Sequence, residues 1–313
     1  MYLFVKYNKP HNQSIDNLTK NIQYKVIDLQ YISKSIDNIS YESISKYLNS
    51  LSYIKAITHI IIGDIFWPTG QNICKFGSLH DKKIVFLQHG QWIYVENKKN
   101  PPCLPHMTFL YGNHLLQKVK GWPYGLKSKC FATGSPKYDN INIKQGDYFY
   151  FCPPVILETF PSRSSVVNAK NKLLLHSLKG LDSYCKLRIH PHYREGDIQF
   201  IKELFPKAEF FDTELNSLDL IKNSKGVITH RDSTTVIDAI SCKKKSLLLN
   251  FNNEKQSYFK KFYFRDYCVE NDNFDQLINN IDNIDFIKEH YSYVDDYIQQ
   301  GNSSEKIFRI MED

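Results

Sequence analysis

The stretch Val227-Ile-Thr-His-Arg-Asp-Ser-Thr-Thr-Val-Ile-Asp-Ala-Ile240 contains a short apolar strand, a polar turn and the start of an amphipathic helix. Apolar side chains recur at helical spacing after the turn, which predicts a helix over Thr234–Cys242 with Asp232 or Ser233 as its N-cap. A strand that runs directly into a helix in this way is typical of α/β folds with parallel sheets.

The same alternation of apolar strands and helical segments extends along the whole chain. Strands are predicted at Tyr2–Tyr7, Tyr24–Leu29, Ile57–Ile62, Lys83–Gln88, Met107–Leu110, Cys130–Ala132, Tyr148–Cys152, Cys185–Ile189, Glu209–Phe211, Gly226–Thr229, Ser246–Asn250 and Tyr267–Val269. Further helices are predicted at Ser40–Leu51, Ser164–Leu178, Asp197–Leu204 and Leu215–Lys222. These strands lack an alternation of apolar and polar residues, so they are expected to form parallel sheets covered on both faces.

The series of strands occurs twice, and a polar segment rich in Gly, Pro and Asn separates the two halves at 133–146. We therefore predict two doubly wound domains, 1–140 and 147–313. The last helical part, Ser303–Met311, can fold back across the first domain. Ligands of open α/β sheets bind beyond the carboxyl ends of the strands, so two such domains facing each other would leave a binding cleft.

Charge and cysteine content restrict the classes of function. The net charge of +7 suits anionic partners, but the basic residues are spread along the chain, so nucleic acid is not expected as a partner. The seven cysteines are odd in number and include no C-x-x-C pair, which favours neither a disulfide framework nor a zinc site. With no signal-peptide core and no membrane-spanning apolar run, we expect a cytoplasmic protein.

The turn before the predicted helix 234–242 is a candidate phosphate site. A helix start carries free N–H groups and a partial positive charge, and here the hydroxyls of Ser233, Thr234 and Thr235 follow His230 and Arg231. The alternative is that these residues only cap the helix. Three consecutive hydroxyls exceed what a cap needs, which favours phosphate contact.

A second cationic pair ends a neighbouring strand in Leu187-Arg-Ile-His-Pro-His192. The period of two places Arg188 and His190 on the same face, where they could complete the phosphate site. A surface strand edge that Pro191 terminates, with His190 bonded to the backbone, explains the same pattern equally well.

Two residues in the first half are candidates for a general base. His89 ends a buried strand and precedes Gly90, which permits close approach of a ligand. Asp64 ends another buried strand, although it could instead form an Asx-turn or an N-cap. Gly134 lies in a turn sequence and could also contact a phosphate.

Five segments occur along the chain in the order Gln88-His-Gly90, Gly134-Ser-Pro-Lys-Tyr-Asp139, Ile189-His-Pro191, Ser233-Thr-Thr-Val-Ile-Asp-Ala239 and Gln300-Gly-Asn-Ser-Ser-Glu-Lys-Ile307. In the order of these segments the chain resembles the GT-B glycosyltransferases of bacterial capsule and lipopolysaccharide synthesis and the related CDP-glycerol glycerophosphotransferases. The resemblance implies two Rossmann-like domains facing across a cleft. It also implies a cytidine-based donor, as in CMP-sugar-dependent Kdo- and sialyltransferases, with His190 near its phosphates and His89 activating the acceptor.

The resemblance therefore implies transfer of a sugar, or of a polyol phosphate, from a nucleotide-sugar or CDP-polyol donor to a glycan or lipid-linked acceptor. Peripheral contact with the inner membrane is compatible with such an acceptor. No metal and no cofactor is expected, because histidine, arginine and a helix start can neutralise the leaving group. The alternatives are a UDP-sugar 2-epimerase and a non-catalytic protein that binds glycans or nucleic acid. The lack of a G-x-G-x-x-G or P-loop motif argues against dehydrogenases and NTPases.

Overall fold

A computed structural model describes residues 1–6, 9–19, 22–33, 36–65, 67–88, 103–120, 127–153, 172, 175–176, 178–189, 195–211, 215–230, 233–249, 269–271, 298–299 and 301–313. Internal contacts divide the chain into two compact units. The first unit comprises Met1–Asn140 together with Tyr293–Asp313, and the second unit comprises Ile141–Ser292. The chain thus leaves the first unit and later returns to it.

Each unit contains one six-stranded parallel sheet. In the first unit the strands are β1 (Tyr2–Lys6), β2 (Tyr24–Asp28), β3 (His59–Ile62), β4 (Lys83–Leu87), β5 (Met107–Leu110) and β6 (Lys129–Ala132). In the second unit they are β7 (Phe149–Phe151), β8 (Cys185–Arg188), β9 (Glu209–Phe211), β10 (Gly226–His230), β11 (Lys245–Leu249) and β12 (Val269–Asn271). The described helices are α1 (Lys9–Leu18), α2 (Tyr41–Ser50), α3 (Pro68–Leu79), α4 (Asn113–Lys120), α5 (Glu195–Leu204), α6 (Ser217–Lys222), α7 (Thr235–Ser241) and α8 (Ser303–Glu312).

The strand orders determine where each sheet can hold a ligand. The first sheet has the order β2-β1-β3-β4-β5-β6, so its direction of winding reverses between β1 and β3. The second has the order β12-β11-β10-β7-β8-β9, the arrangement of a dinucleotide-binding Rossmann sheet, and it reverses between β7 and β10. Open α/β sheets bind ligands beyond the carboxyl ends of the strands at such reversal points.

Apolar side chains explain the core of each unit. In the first unit, Phe4 and Val85 from the sheet pack with Ile307 and Met311 from α8. In the second, Phe149, Phe151, Leu187 and Ile228 belong to a core on one face of the sheet. The strand period of two directs Tyr150, Arg188 and Thr229 to the other face. These polar side chains are also buried.

The predicted fold class is confirmed as two parallel α/β units, and each of the twelve predicted strands is present within about two residues at each end. Helices α1, α3 and α4 were not predicted, whereas the helix predicted at Ser164–Leu178 lies largely outside the described residues. Among the helices that the structure describes, none is long and apolar enough to span a bilayer.

Candidate functional site

Arg188 lies at the carboxyl end of β8, beside the reversal point of the second sheet. Its side chain is buried, and Nη2 donates a hydrogen bond to the carbonyl oxygen of Leu215 at 3.2 Å. Within the described part of the chain, Nε has no hydrogen-bond partner. A buried guanidinium with an unused donor is costly, and a bound anion at this position would satisfy it.

Three more buried polar side chains occupy the same face of the sheet. Tyr150 and Cys152 extend from β7, and Thr229 lies near the end of β10. Burial raises the pKa of Cys152 to about 11, an effect that the nearby Arg188 guanidinium opposes. The pKa of the Tyr150 phenol is raised well above its usual value, by burial first and then by Cys152, while the neighbouring Arg188 guanidinium opposes the rise.

The Tyr150 hydroxyl and the Thr229 hydroxyl have no hydrogen-bond partner among the residues that the structure describes. Sequence reasoning missed both residues. Tyr150 stands between two phenylalanines and is read as core, and only the period of two indicates that it shares a face with Arg188. The end of this sheet therefore contains several unused donors close to the reversal point.

The Ser-Thr-Thr turn begins α7 immediately after β10. The Ser233 hydroxyl donates to Thr235 Oγ1 at 2.9 Å and accepts from the Thr235 backbone N–H at 3.2 Å. Thr234 occupies the N-cap position but makes no side-chain capping hydrogen bond. The structure assigns the N-cap to Thr234, one residue after the predicted Ser233, although the Ser233 hydroxyl accepts a backbone N–H at the start of the helix as a cap would. Asp232 lies outside the described residues. The hydroxyls of Ser233 and Thr235 are thus bonded to each other. Thr234 is half-buried, and its hydroxyl has no capping role.

Several predicted site residues lie outside the described part of the chain: His89, Gly90, His190, Arg231 and Asp232. His230 is described only as the last residue of β10. The proposed roles of these residues stay predictions.

Asp64 follows β3 at the reversal point of the first sheet. It is only 4% exposed, and its Oδ1 accepts a hydrogen bond from the backbone N–H of Trp67 at 2.9 Å. The carboxylate thus organises the turn that leads to α3, as the Asx-turn alternative expects.

Gly134 is part of a packed junction inside the first unit. Its φ of +83° is left-handed, and a Cβ at this position would collide with the Gln299 carbonyl oxygen and the Ser303 hydroxyl. The neighbouring Ser135 hydroxyl is buried and 3.4 Å from that of Ser14. The glycine is therefore required for close backbone approach, a role that differs from the predicted phosphate contact.

Asp139 directly follows the short turn Pro136–Tyr138, and its side chain caps the start of α8. Its two carboxylate oxygens accept backbone N–H groups of Ser303 and Ser304 at 2.8 Å each, and Oδ2 also accepts the Ser304 hydroxyl at 2.7 Å. The segments Gly134–Asp139 and Gln300–Ile307 of the sequence resemblance therefore meet here in a structural contact. Across the described residues, no group of three His, Cys, Asp or Glu side chains is arranged to hold a metal ion.

No protein-family model matches the sequence, and no curated protein matches it. Solved structures do match over nearly the full length. S. aureus MnaA, solved with UDP, is 13% identical, with coverage of 100% of this chain and 95% of that chain and a TM-score of 0.64.

A UDP-GlcNAc 2-epimerase from Neisseria meningitidis, solved with UDP-GlcNAc, is 13% identical over 100% of this chain and 99% of that chain, with a TM-score of 0.60. A variant of the wall teichoic acid polymerase TagF is 11% identical over 100% of this chain and 88% of that chain, with a TM-score of 0.59. At such low identity the likeness concerns the fold. The chain has the GT-B-like fold that occurs in glycosyltransferases and UDP-GlcNAc 2-epimerases.

Proposed function

We propose that this protein is a transferase that moves a sugar or a polyol phosphate from a nucleotide-activated donor to a glycan or lipid-linked acceptor in bacterial surface polysaccharide synthesis. The observation that carries the proposal is the buried Arg188 guanidinium beside the reversal point of a Rossmann-ordered sheet. In this position a cation attracts the phosphate groups of an activated donor and stabilises the negative charge of the departing nucleotide.

Two further features support a donor site in the second unit. The start of α7 lies at the same reversal point, where Thr234 is available for a phosphate oxygen. Arg188 and His190 are expected on one face of the β8 extension, so His190 would join the arginine at the phosphates. His89 is our candidate for the base that takes the acceptor proton, since Asp64 is buried and bonded within its turn.

Ligand binding tests the donor site first. UDP, UDP-GlcNAc, CMP, CMP-sugars, CDP-glycerol and GDP are screened by thermal shift, and we expect stabilisation by one class of base. Two of the structures named above contain uridine ligands, and none of the three supports the cytidine preference, so the screen includes both bases. Failure of every nucleotide to raise the melting temperature would contradict the proposal.

A pair of variants tests whether Arg188 contributes to nucleotide binding. Arg188→Met should weaken nucleotide binding by about tenfold or more, because a charge-assisted contact to phosphate is lost. Lys186→Met is the matched control, since Lys186 lies on the same strand and face but pairs with Glu209 at 2.7 Å. Equal affinity of the two variants would exclude Arg188 from the site.

The second candidate is a UDP-sugar 2-epimerase, which the full-length likeness to two structures with uridine ligands favours. An epimerase converts its donor without an acceptor, whereas a transferase needs one. Incubation with UDP-GlcNAc alone, followed by chromatography of the sugar nucleotides, separates the two. Appearance of the 2-epimer would replace the transferase assignment.

A further inference from the structure

Trp67 presents an exposed indole close to the reversal point of the first sheet. It follows the end of β3 by five residues, and 45% of its surface is exposed although Trp is usually well buried. A single exposed apolar side chain needs no explanation. The backbone that carries this one, however, is held firmly.

Several contacts fix the turn between β3 and α3. The buried Asp64 carboxylate accepts the Trp67 N–H, and Pro68 begins the helix with its ring-fixed φ. Gly70 lies so close to the Asp64 carbonyl that a Cβ would not fit. The Gln71 side chain donates to the Ile65 carbonyl oxygen. The indole is therefore offered to solvent from a preorganised frame, which lowers the entropy cost of binding a ligand.

A similar arrangement, an aspartate bonded to the backbone ahead of an exposed aromatic residue, occurs after β2. Asp28 ends that strand, and its Oδ1 accepts the backbone N–H of Gln30 at 2.9 Å. Tyr31 follows three residues after the aspartate and is 83% exposed. The segments Asp28-Leu-Gln-Tyr31 and Asp64-Ile-Phe-Trp67 share one pattern. In each, an aspartate at or just after the strand end is bonded to the backbone. The next residue is a buried aliphatic one, and the third residue after the aspartate is an exposed aromatic one.

The two strands that lead to these aromatic residues lie on opposite sides of β1. β1 lies between β2 and β3, and its Lys6 pairs with Asp28 while its Phe4 pairs with Ile61. Measured along the strand direction, the positions of Asp28 and Asp64 are therefore offset by about one residue. Adjacent strands are about 4.8 Å apart, so the ends of β2 and β3 are separated by about 10 Å, comparable with the length of a disaccharide.

We propose that Trp67 and Tyr31 form a stacking platform for sugar rings of the glycan acceptor, a proposal that rests on the transferase function above. The faces of a sugar ring carry C–H groups that pack on aromatic rings, while its hydroxyls stay in water. Two separate rings with a polar neighbour, Gln30, suit this ligand. A membrane surface would require a contiguous apolar patch with cations around it.

Fluorine NMR of the full chain labelled with 5-fluorotryptophan tests the platform. The chain has three tryptophans, and Trp67→Phe assigns the resonance of interest. N-acetylglucosamine oligomers, maltotriose and lactose are titrated with saturating nucleotide present. At least one saccharide should shift the Trp67 resonance in a saturable way.

Affinity of that saccharide, measured by isothermal titration calorimetry because two of the variants lack the Trp67 reporter, should fall about tenfold in Trp67→Ala and in Tyr31→Ala. It should stay within about threefold in Trp67→Phe and Tyr31→Phe. Leu79→Ala is the matched control, because Leu79 is a 63% exposed apolar residue at the opposite end of the same helix α3. Unchanged affinity in both alanine variants would overturn the proposal, as would a Trp67 resonance that no saccharide in the panel moves.

Lipid vesicles of phosphatidylethanolamine and phosphatidylglycerol are added in parallel, and a Trp67 resonance that responds to them alone would identify a membrane contact and overturn the proposal. The thermal shift with nucleotide is measured on the same samples. Nucleotide stabilisation without a saccharide response refutes the platform and leaves the donor site intact. A saccharide response without nucleotide stabilisation refutes the transferase function and, with it, the acceptor role of the platform.

Discussion

His59, the first residue of β3, is a buried histidine whose titration should be visible in protein stability. Burial lowers its pKa to about 4, and the nearby Lys83, N-terminus and His106 add to the effect. Between pH 6.5 and 4 the unfolded chain therefore binds a proton that the folded chain does not. Stability from this residue is complete above pH 6.5 and is lost as the pH falls towards 4, by about 3 kcal/mol at most.

Replacement of His59 isolates this contribution. His59→Phe keeps a ring against Tyr2, whose centroid is 5.3 Å from that of the imidazole, but it cannot titrate. Denaturant unfolding at pH 7.5, 5.5 and 4.5 should show a smaller loss of stability on acidification in the variant. Identical pH profiles of the two proteins would refute the assignment.

Gly134 and Gly301 form a natural pair for measuring close backbone approach. Both have left-handed φ angles, of +83° and +73°, but only at Gly134 does a Cβ meet other atoms. Gly301→Ala should lower the free energy of unfolding by about 1 kcal/mol through backbone strain alone, and Gly134→Ala by roughly 3 kcal/mol or more. Equal losses in thermal denaturation would contradict the packed junction with Gln299 and Ser303.

Among the helices, α8 depends most directly on one distant side chain. Asp139→Ala removes three hydrogen bonds from the start of α8 and a negative charge from its positive end, so we expect a loss of about 2 kcal/mol. Hydrogen exchange at Ile307 and Met311 should accelerate accordingly. Ser304→Ala removes only the hydroxyl contact and serves as the milder control. Unaltered exchange in Asp139→Ala would show that the core contacts hold the helix without its cap.

Helix α3 shows where sequence reasoning fails for elements. The strands were predictable because continuous β-branched and aromatic runs have few alternatives in an α/β chain. α3 contains Gly70 and Gly77, residues that lower helix propensity, whereas Pro68 at its first position suits a helix start. Their lack of a Cβ lets the helix approach the Asp64 carbonyl and the Ile84 side chain, so tertiary packing overrides the local preference.

For the candidate sites too, some features could be predicted from the sequence and others could not. Strand ends could be predicted, and with them the positions of Arg188, Asp64 and the Ser-Thr-Thr turn. The hydrogen bonds could not, because they depend on turn geometry that several sequences share. The mutual bond between Ser233 and Thr235 is an example. The bond of the Asp64 carboxylate to the backbone was only one of the alternatives that the sequence allowed.

At the scale of the whole molecule, the end of the described chain completes the core of the first unit. Ile307 and Met311 are buried in the cluster that contains Phe4 and Val85. Deletion of residues 301–313 should therefore destabilise the first unit by roughly 3–6 kcal/mol, given the apolar area that two such side chains bury. Limited proteolysis should cleave within 1–140 before it cleaves within 141–249. The reverse order of cleavage would contradict the division of the chain.

This return of the chain has a consequence for folding. The first unit cannot close its core before α8 docks, because Ile307 and Met311 pack in the same cluster as Phe4 and Val85. These contacts join residues more than 200 positions apart in sequence, and pairings over such distances are slow to form.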